Sequence, residues 1–240
     1  MILLLKLFLA HLAGDFLLQP DSWVIGKETK RLRSWQLYLH SLIHFTLIML
    51  LVWDIAFWRW ALLIAVFHLM TDLLKLYAQH NKTKRTWFFA DQAVHLLFIY
   101  LVWIWCQDER IVFQDLTKEY IIALITILYA LTQPTSVIIR LFISRWSPDN
   151  SINNQDSLEK AGKYIGILER LFVFAFVITN NLAAIGFLLA AKSVFRFGDL
   201  KESRDRKLTE YVLIGTLLSF GIAMLTGIIF LKLITFLNQA

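Results

Sequence analysis

Residues 57–78 read FWRWALLIAVFHLMTDLLKLYA. Most of these positions are apolar, and a helix of this length can cross the hydrocarbon core of a bilayer, which is about 30 Å thick. Two polar residues, His68 and Asp72, interrupt the stretch one helical turn apart. Because a helix pairs its own backbone polar groups, and because the alternation typical of membrane strands is missing, the stretch predicts a membrane-spanning helix with one polar face.

The whole chain shares the character of this stretch. Of its 240 residues, 58% are hydrophobic, and its mean hydropathy of +0.60 is too high for an ordinary soluble domain. We therefore predict an all-α polytopic membrane helical bundle of about eight transmembrane helices, in two four-helix halves over residues 1–106 and 120–240. The sixth and seventh spans are short and could instead form a re-entrant hairpin. The predicted spans cover about residues 2–19, 36–53, 57–78, 87–106, 120–143, 164–179, 182–197 and 210–236.

Basic residues are distributed among the loops in a way that orients the chain. The loops after the odd-numbered spans hold most of the Lys and Arg; the first of them has Lys27, Lys30, Arg31 and Arg33. Since cytoplasmic loops are enriched in these residues, we predict that both termini lie outside, as in a multi-pass protein of a bacterial inner membrane. The net charge of +6 arises mainly in these loops and not along one groove, so we expect no nucleic acid partner.

Two further features direct attention to the polar residues inside the spans. The single cysteine, Cys106, excludes an internal disulfide and a cysteine-rich metal site, so any metal ligands are His and carboxylate. The apolar N-terminus has no basic start and carries His11 and Asp15. We expect a retained first helix there, and not a signal peptide.

Five of the six histidines have a His or an Asp four positions away. Composition makes this rare by chance, because His and Asp together account for only 17 of the 240 residues. Positions i and i+4 lie on one helix face, so each pair can present two ligands to one point. The loop charges place all four pairs near the cytoplasmic ends of the first four helices. The pairs are His11 with Asp15, His40 with His44, His68 with Asp72, and Asp91 with His95.

These eight side chains predict a metal site inside the bundle. Ionisable groups at membrane depth are costly and normally face partners in the interior, and helical bundles build metal sites from inward side chains on facing helices. Imidazole and carboxylate together favour a divalent transition metal, Zn, Mn or Fe, either as two ions or as one ion with supporting residues. Within the set, we expect His68, Asp72 and Asp91 to be catalytic. The alternative is a polar network that only packs the helices.

Four more polar residues lie near the same helix ends: Gln19, Lys27, Lys75 and Gln92. We predict that Gln19, Lys75 and Gln92 contact the substrate. The alternative is that these long side chains extend to the water interface and are solvated there.

The C-terminal half has its own charged residues in apolar surroundings. We predict that they bind an anionic lipid or the phosphate group of a substrate, since guanidinium groups match phosphate geometry. The alternative is a set of ion pairs between its glutamates and its basic residues that locks the bundle. The residues are Glu169, Arg170, Lys192, Arg196 and Glu210. Nearby glycines at positions 162, 166, 215 and 221 predict close helix packing.

At these residues the chain resembles domain-of-unknown-function family 3307, a family of bacterial integral membrane proteins. The resemblance covers about residues 1–105. Longer members are similar in the second half as well, around Glu169-Arg170, Lys192-Ser193 and Glu210-Tyr211. The resemblance implies the membrane fold and the polar positions, and the family has no established activity to carry over. It rests on HLAGDFLLQ at 11–19 followed by Lys27, on His40 and His44, on HLMTDLLK at 68–75, and on DQAVH at 91–95.

Three functions are compatible with these patterns. The first is a metal-dependent membrane hydrolase that acts on a lipid or phosphate-bearing substrate at the cytoplasmic side, since a metal activates water without a Ser or Cys nucleophile. The second is a divalent-cation or proton-coupled transporter, because His and Asp on adjacent helices also form transport sites. The third is a non-catalytic membrane scaffold. The common hydrolase and nucleotide-binding motifs are missing from the sequence.

Overall fold

The computed structural model describes residues 1–106, 116–146, 156–196 and 203–239. In these ranges the protein is helical and contains no strand. It divides into two compact units, Met1–Thr126 and Ile127–Ala240. The helices are α1 (Ile2–Phe16), α2 (Asp21–Lys30), α3 (Trp35–Val52), α4 (Trp58–Ala78), α5 (Lys84–Trp105), α6 (Leu116–Ala130), α7 (Gln133–Ile143), α8 (Asp156–Ile178), α9 (Leu182–Arg196) and α10 (Ser203–Gln239).

The first unit is built on a ring of four helices. Helix α1 packs against α3 and α5, and α4 packs against the same two helices. Helices α1 and α3 are antiparallel: Lys6, near the start of α1, donates to the carbonyl of Val52 at the end of α3 at 3.3 Å. Near this end of the ring the core is apolar and includes Leu7, Ile48 and Val102. The polar pairs occupy the opposite end.

Helix α4 shows that the first unit has an apolar outer surface and keeps the polar residues of its helices inside. Its buried residues include His68 and Asp72, whereas Leu62, Met70 and Leu74 are 46%, 59% and 61% exposed. A soluble bundle has the reverse arrangement, with its charged residues on the outer face. The surface of α4 therefore suits lipid, and its polar residues are shielded from it.

Several helices are long and apolar enough to cross a membrane. The prediction of an apolar all-helical protein is confirmed for the described residues, and these helices indicate a multi-pass membrane protein. The predicted number of eight spans exceeds the five or six found here and stays a prediction. The five candidate spans are Trp35–Val52, Ile55–Ala78, Lys84–Trp105, Glu119–Ile143 and Glu210–Leu237, and a sixth results if α1 and the segment Asp21–Arg33, bent by 78°, count as one.

The first predicted span, about 2–19, ends earlier than expected. Helix α1 stops at Phe16, and the following segment forms a second helix, α2, at an angle of 78° to it. Pro20 directly precedes α2. A proline disfavours helical geometry in the residue before it and is well suited to a helix start, which accounts for the break.

The predicted span at about 120–143 consists of two helices in the structure. Helix α6 ends at Ala130 and α7 begins at Gln133, with Pro134 in the first turn of α7. In the second unit, α10 packs along α8 and α7, and α8 packs against α9. The turn between α8 and α9 contains Asn180 in the left-handed region with φ 56°, a conformation that Asn tolerates better than most residues.

Candidate metal centre

All four predicted pairs meet inside the first unit. The pair on α1 lies in its last two turns, and those on α3 and α5 extend from the first half of each helix to just past its midpoint. The pair on α4 lies in its second half. Because helices joined in sequence run in opposite directions, these positions come to the same end of the ring. Seven of the eight side chains belong to buried residues, and Asp15 itself is only 8% exposed.

Asp15 lies at the centre of the cluster. Its Oδ1 atom is 3.0 Å from Nε2 of His44 and 3.2 Å from Nε2 of both His40 and His68. The Nε2 atoms of His40 and His44 are themselves 3.3 Å apart. Three imidazole nitrogens from two helices thus converge on one carboxylate oxygen from a third.

A glutamine orients this carboxylate. The Nε2 of Gln92 on α5 donates to Asp15 Oδ2 at 2.6 Å, and its Oε1 lies 3.2 Å from Nε2 of His11. Since that amide oxygen only accepts, Nε2 of His11 is the donor in this contact. Gln92 therefore fixes both members of the α1 pair, which agrees with its predicted place near the site.

The other two carboxylates of the cluster are each paired with a lysine. Lys27 on α2 donates to Asp72 Oδ2 at 2.7 Å, and Lys75 donates to Asp91 Oδ2 at 2.8 Å. Lys27 is buried, which makes α2 a cover over this end of the ring. Asp15 forms no ion pair with a lysine among the described residues, and its partners there are imidazoles and the amide of Gln92.

Two residues support the cluster that the sequence patterns did not single out. Thr71 is hydrogen-bonded to Nε2 of His95. A Cβ atom at Gly14 would lie 2.4 Å from Cε1 of His44, so only glycine allows this ring to approach α1. In the sequence, the position of Gly14 directly before Asp15 was the feature from which its role could have been predicted.

The cluster contains polar atoms that the protein itself does not satisfy. Such atoms normally bind water or an ion, because burial without a partner costs free energy. Three geometrical groupings can hold a cation: His11, Asp15, His44 and His68; His40, His68 and Asp72; and Asp72, Asp91 and His95. The buried atoms without a hydrogen-bond partner in the described residues are Nδ1 of His11, His40, His68 and His95, and Oδ1 of Asp91.

A protein-family model described as "Protein of unknown function (DUF3307)" matches residues 3–124, just over half of the chain. The chain belongs to this family. No curated protein and no solved structure matches it. The part shared with DUF3307 contains all eight clustered side chains and ends inside the first unit.

The remaining predicted residues have other surroundings. Gln19 lies in the connection between α1 and α2, and no hydrogen bond joins it to the cluster within the described ranges. In the second unit, Lys192 and Glu169 form an ion pair at 2.6 Å, as the packing alternative predicts. Glu210 is exposed and takes part in a further interaction, and the side chain of Arg196 lies outside the described residues.

Arg170 in the second unit holds the break between α6 and α7. Its guanidinium donates to the carbonyls of Leu131 at 2.5 Å and Thr132 at 3.1 Å. It also donates to the hydroxyls of Ser136 at 2.6 Å and Ser219 at 3.2 Å. Carbonyl groups at a helix C-terminus lack hydrogen-bond donors within the helix, and the N–H groups of Arg170 provide such donors here.

Proposed function

We propose that this DUF3307 protein binds one divalent transition metal ion near the cytoplasmic side of the membrane and uses it to hydrolyse a lipid or phosphate-bearing substrate. The proposal includes the eight-helix topology with both termini outside. The observation that carries it is the convergence of three imidazole nitrogens on Asp15 Oδ1 at 3.0–3.2 Å.

The spacing of these four atoms suits a metal. A tetrahedron with metal–ligand distances of about 2.0–2.1 Å has edges of about 3.3 Å. Four of the six edges of such a tetrahedron, formed by Oδ1 of Asp15 and Nε2 of His40, His44 and His68, are 3.0 to 3.3 Å long. A set of three imidazoles and one carboxylate suits Zn, Mn or Fe better than Mg or Ca, which prefer oxygen ligands.

The lysines favour one metal over two. Asp72 and Asp91 would belong to any second ion, but Lys27 and Lys75 already neutralise them at 2.7 and 2.8 Å. With the imidazoles neutral, the three carboxylates and two ammonium groups leave one negative charge in the cluster. A divalent ion at Asp15 compensates that charge, so the proposal assigns His11, Asp72, Asp91 and His95 to supporting or proton-transfer roles.

With four protein ligands in place, a bound divalent ion would need to expand to five-coordinate to take up water, which it would then activate near neutral pH while it polarises the substrate. In hydrolysis the water oxygen forms the new bond to phosphorus or carbon, and the bond to the leaving oxygen breaks. Asp91 Oδ1, which has no partner in the described residues, is suited to accept the proton of water. Lys75, whose side chain is 22% exposed, can contact an anionic substrate, and Gln92 keeps Asp15 oriented.

A second candidate, cation transport, is favoured by the break between α1 and α2. Transporters commonly bind their substrates beside discontinuous helices, and Asp15 is one residue from the end of α1. Transport requires that the ion reach both sides of the membrane, whereas hydrolysis does not.

Metal analysis of the purified protein tests the proposal. We expect about one transition metal per chain, and a loss of affinity of more than about hundredfold in Asp15→Asn and His68→Ala. His80→Ala is the matched control, because His80 is exposed and lies outside the cluster. Asp72→Asn should keep its metal, because Lys27 and not the ion is its partner. A wild-type protein that binds no stoichiometric metal after loading would contradict the proposal.

Two assays on the metal-loaded protein separate the candidates. Release of phosphate or fatty acid from phospholipid vesicles, lost in Asp15→Asn, supports the hydrolase. Uptake of the ion into proteoliposomes without such release supports transport. Stable metal binding with neither activity overturns both and leaves a structural metal.

A further inference from the structure

The second unit contains a half-open cavity of about 540 Å³. Small-molecule sites in proteins commonly measure about 300–1,000 Å³, so this cavity is large enough for a ligand headgroup and part of a chain. Helices α7, α8, α9 and α10 all contribute to its wall, and every lining residue lies within Ile127–Ala240. The cavity is therefore independent of the metal centre.

Two glycines of α8 leave this space open. A Cβ atom at Gly162 would meet no atom within 4 Å, and one at Gly166 would meet only Nη1 of Arg170, at 3.5 Å. The sequence pattern predicted close helix packing at both positions. Within the described residues neither glycine makes such a contact, so here the missing side chains add volume to the cavity.

The charges around the cavity are unbalanced. Its lining includes four basic side chains, those of Arg140, Lys163, Arg170 and Lys192, and a single acidic one, that of Glu169. Arg140 takes part in a further interaction; the other three cations and the one carboxylate leave a formal net charge of +2. Positive charge on the wall of a cleft favours an anionic occupant.

The surroundings of the buried Arg170 also favour an anion in this cavity. Arg170 is only 3% exposed, and its four hydrogen-bond acceptors are two carbonyls and two hydroxyls, all neutral. The one carboxylate nearby, Glu169, is bound to Lys192 at 2.6 Å. Lys192, whose side chain is 25% exposed, thus takes up this carboxylate. The buried Arg170 has no ion pair among the described residues, and a buried charge without a counter-ion is costly. The second N–H of Nη1, next to Gly166, has no acceptor among the described residues.

The geometry points to a binding site for an amphiphile with an anionic phosphate headgroup. The phosphate lies against Arg170 and Lys192 on the side of the two glycines, where guanidinium and ammonium groups can donate to it. Apolar residues of the wall, including Val137, Ile139 and Val212, pack against the attached chain. The site does not rest on the function proposed for the first unit.

Lipid binding by the full-length protein tests this site. The protein is placed in nanodiscs of phosphatidylcholine with phosphatidylglycerol added, and the bound lipid is counted by native mass spectrometry. Gly166→Leu fills the cavity, and Gly221→Leu is its matched control, because a Cβ at Gly221 also meets no atom within 4 Å but the residue does not line the cavity. Lys163→Gln removes one charge of the wall, with Lys232→Gln as the control outside it.

We expect the wild type to retain phosphatidylglycerol in preference to phosphatidylcholine. Gly166→Leu should weaken this binding about tenfold, which corresponds to about 1.4 kcal/mol, while Gly221→Leu binds as the wild type does. Lys163→Gln should weaken it to a smaller extent. Displacement of the lipid by millimolar inorganic phosphate or glycerol phosphate identifies a soluble phosphate ester as a competing source of the same headgroup.

Two results overturn the proposal. One is equal retention of the anionic and the zwitterionic lipid, together with no binding of the soluble phosphates. The other is equal binding by Gly166→Leu and Gly221→Leu when circular dichroism shows that both variants are folded.

Discussion

The buried charges of the metal centre face other charged or ionisable side chains, whereas the buried Arg170 of the second unit faces backbone carbonyls and neutral hydroxyls. Around Asp15, three imidazoles converge and several polar atoms lack partners. Around Arg170, the guanidinium satisfies carbonyls and hydroxyls at a helix break. The cluster around Asp15 therefore has polar atoms that can bind an occupant, whereas Arg170 uses most of its hydrogen-bond donors to stabilise the fold. Burial of an ionisable group inside a membrane helix therefore does not by itself identify a site.

The comparison predicts that Arg170 matters mainly for stability. Arg170→Met removes the side-chain donor of the Leu131 carbonyl and one donor of the Thr132 carbonyl, which also accepts from Ser136, so we expect the free energy of unfolding to fall by about 3 kcal/mol. Unfolding in mixed detergent micelles, followed by helical circular dichroism, measures this change, with Lys232→Met as the control. The metal content per folded chain should not change. Loss of metal without a loss of stability would contradict this prediction, because it would show that Arg170 contributes to metal binding and not to stability.

In the first unit, one added methyl group at Gly14 should reduce metal affinity more than it reduces stability. Gly14→Ala places a Cβ 2.4 Å from the His44 ring, so the ring must move from its position beside Asp15. We expect about a tenfold loss of metal affinity, since displaced ligands and orienting groups typically cost at least this much. Competition with a chromogenic chelator measures the affinity. Gly221→Ala, where space is open, should match the wild type, and equal affinities in all three proteins would contradict the ligand assignment of His44.

Acidification should give the smallest effect of the three tests, and it should change binding at the metal centre and not at the lipid site. An imidazole that takes up a proton loses the lone pair that binds a metal, so metal affinity should fall as the solution is acidified. Lipid binding in the second unit should stay constant during the same acidification, because Lys and Arg keep their charge there. Calorimetric titrations at several pH values measure both. A metal affinity independent of pH would exclude imidazole ligands.

The sequence was sufficient to predict that the four pairs lie together. Spacing by four residues on apolar helices determines the face that each pair occupies, and alternation of the helices determines the shared end. Spacing does not rank eight similar ligands, however. The central position of Asp15 depends on where α1 ends and on how closely His44 approaches Gly14, and both are properties of packing.

The helix breaks were the part of the fold that the apolar pattern missed. Hydropathy is continuous through about 120–143, so the pattern predicts one uninterrupted helix there. Pro134 was a local sign that a new helix, α7, begins within this stretch. Helix α2 was read as a basic loop because its residues are mostly polar. Its position is set by the contact between Lys27 and Asp72, residues 45 positions apart, which no local pattern reveals.

The shortness of α1 has a consequence for how the protein enters the membrane. Its 15 residues span about 22 Å, less than the roughly 30 Å of a hydrocarbon core. The helix also carries Lys6, His11 and Asp15, each of which opposes transfer from the insertion machinery into lipid. We expect α1 to be retained at the translocon until α3, α4 and α5 emerge, since Val52, His40, His68 and Gln92 supply the partners of these three residues. Insertion and assembly of the first unit would then be a single event.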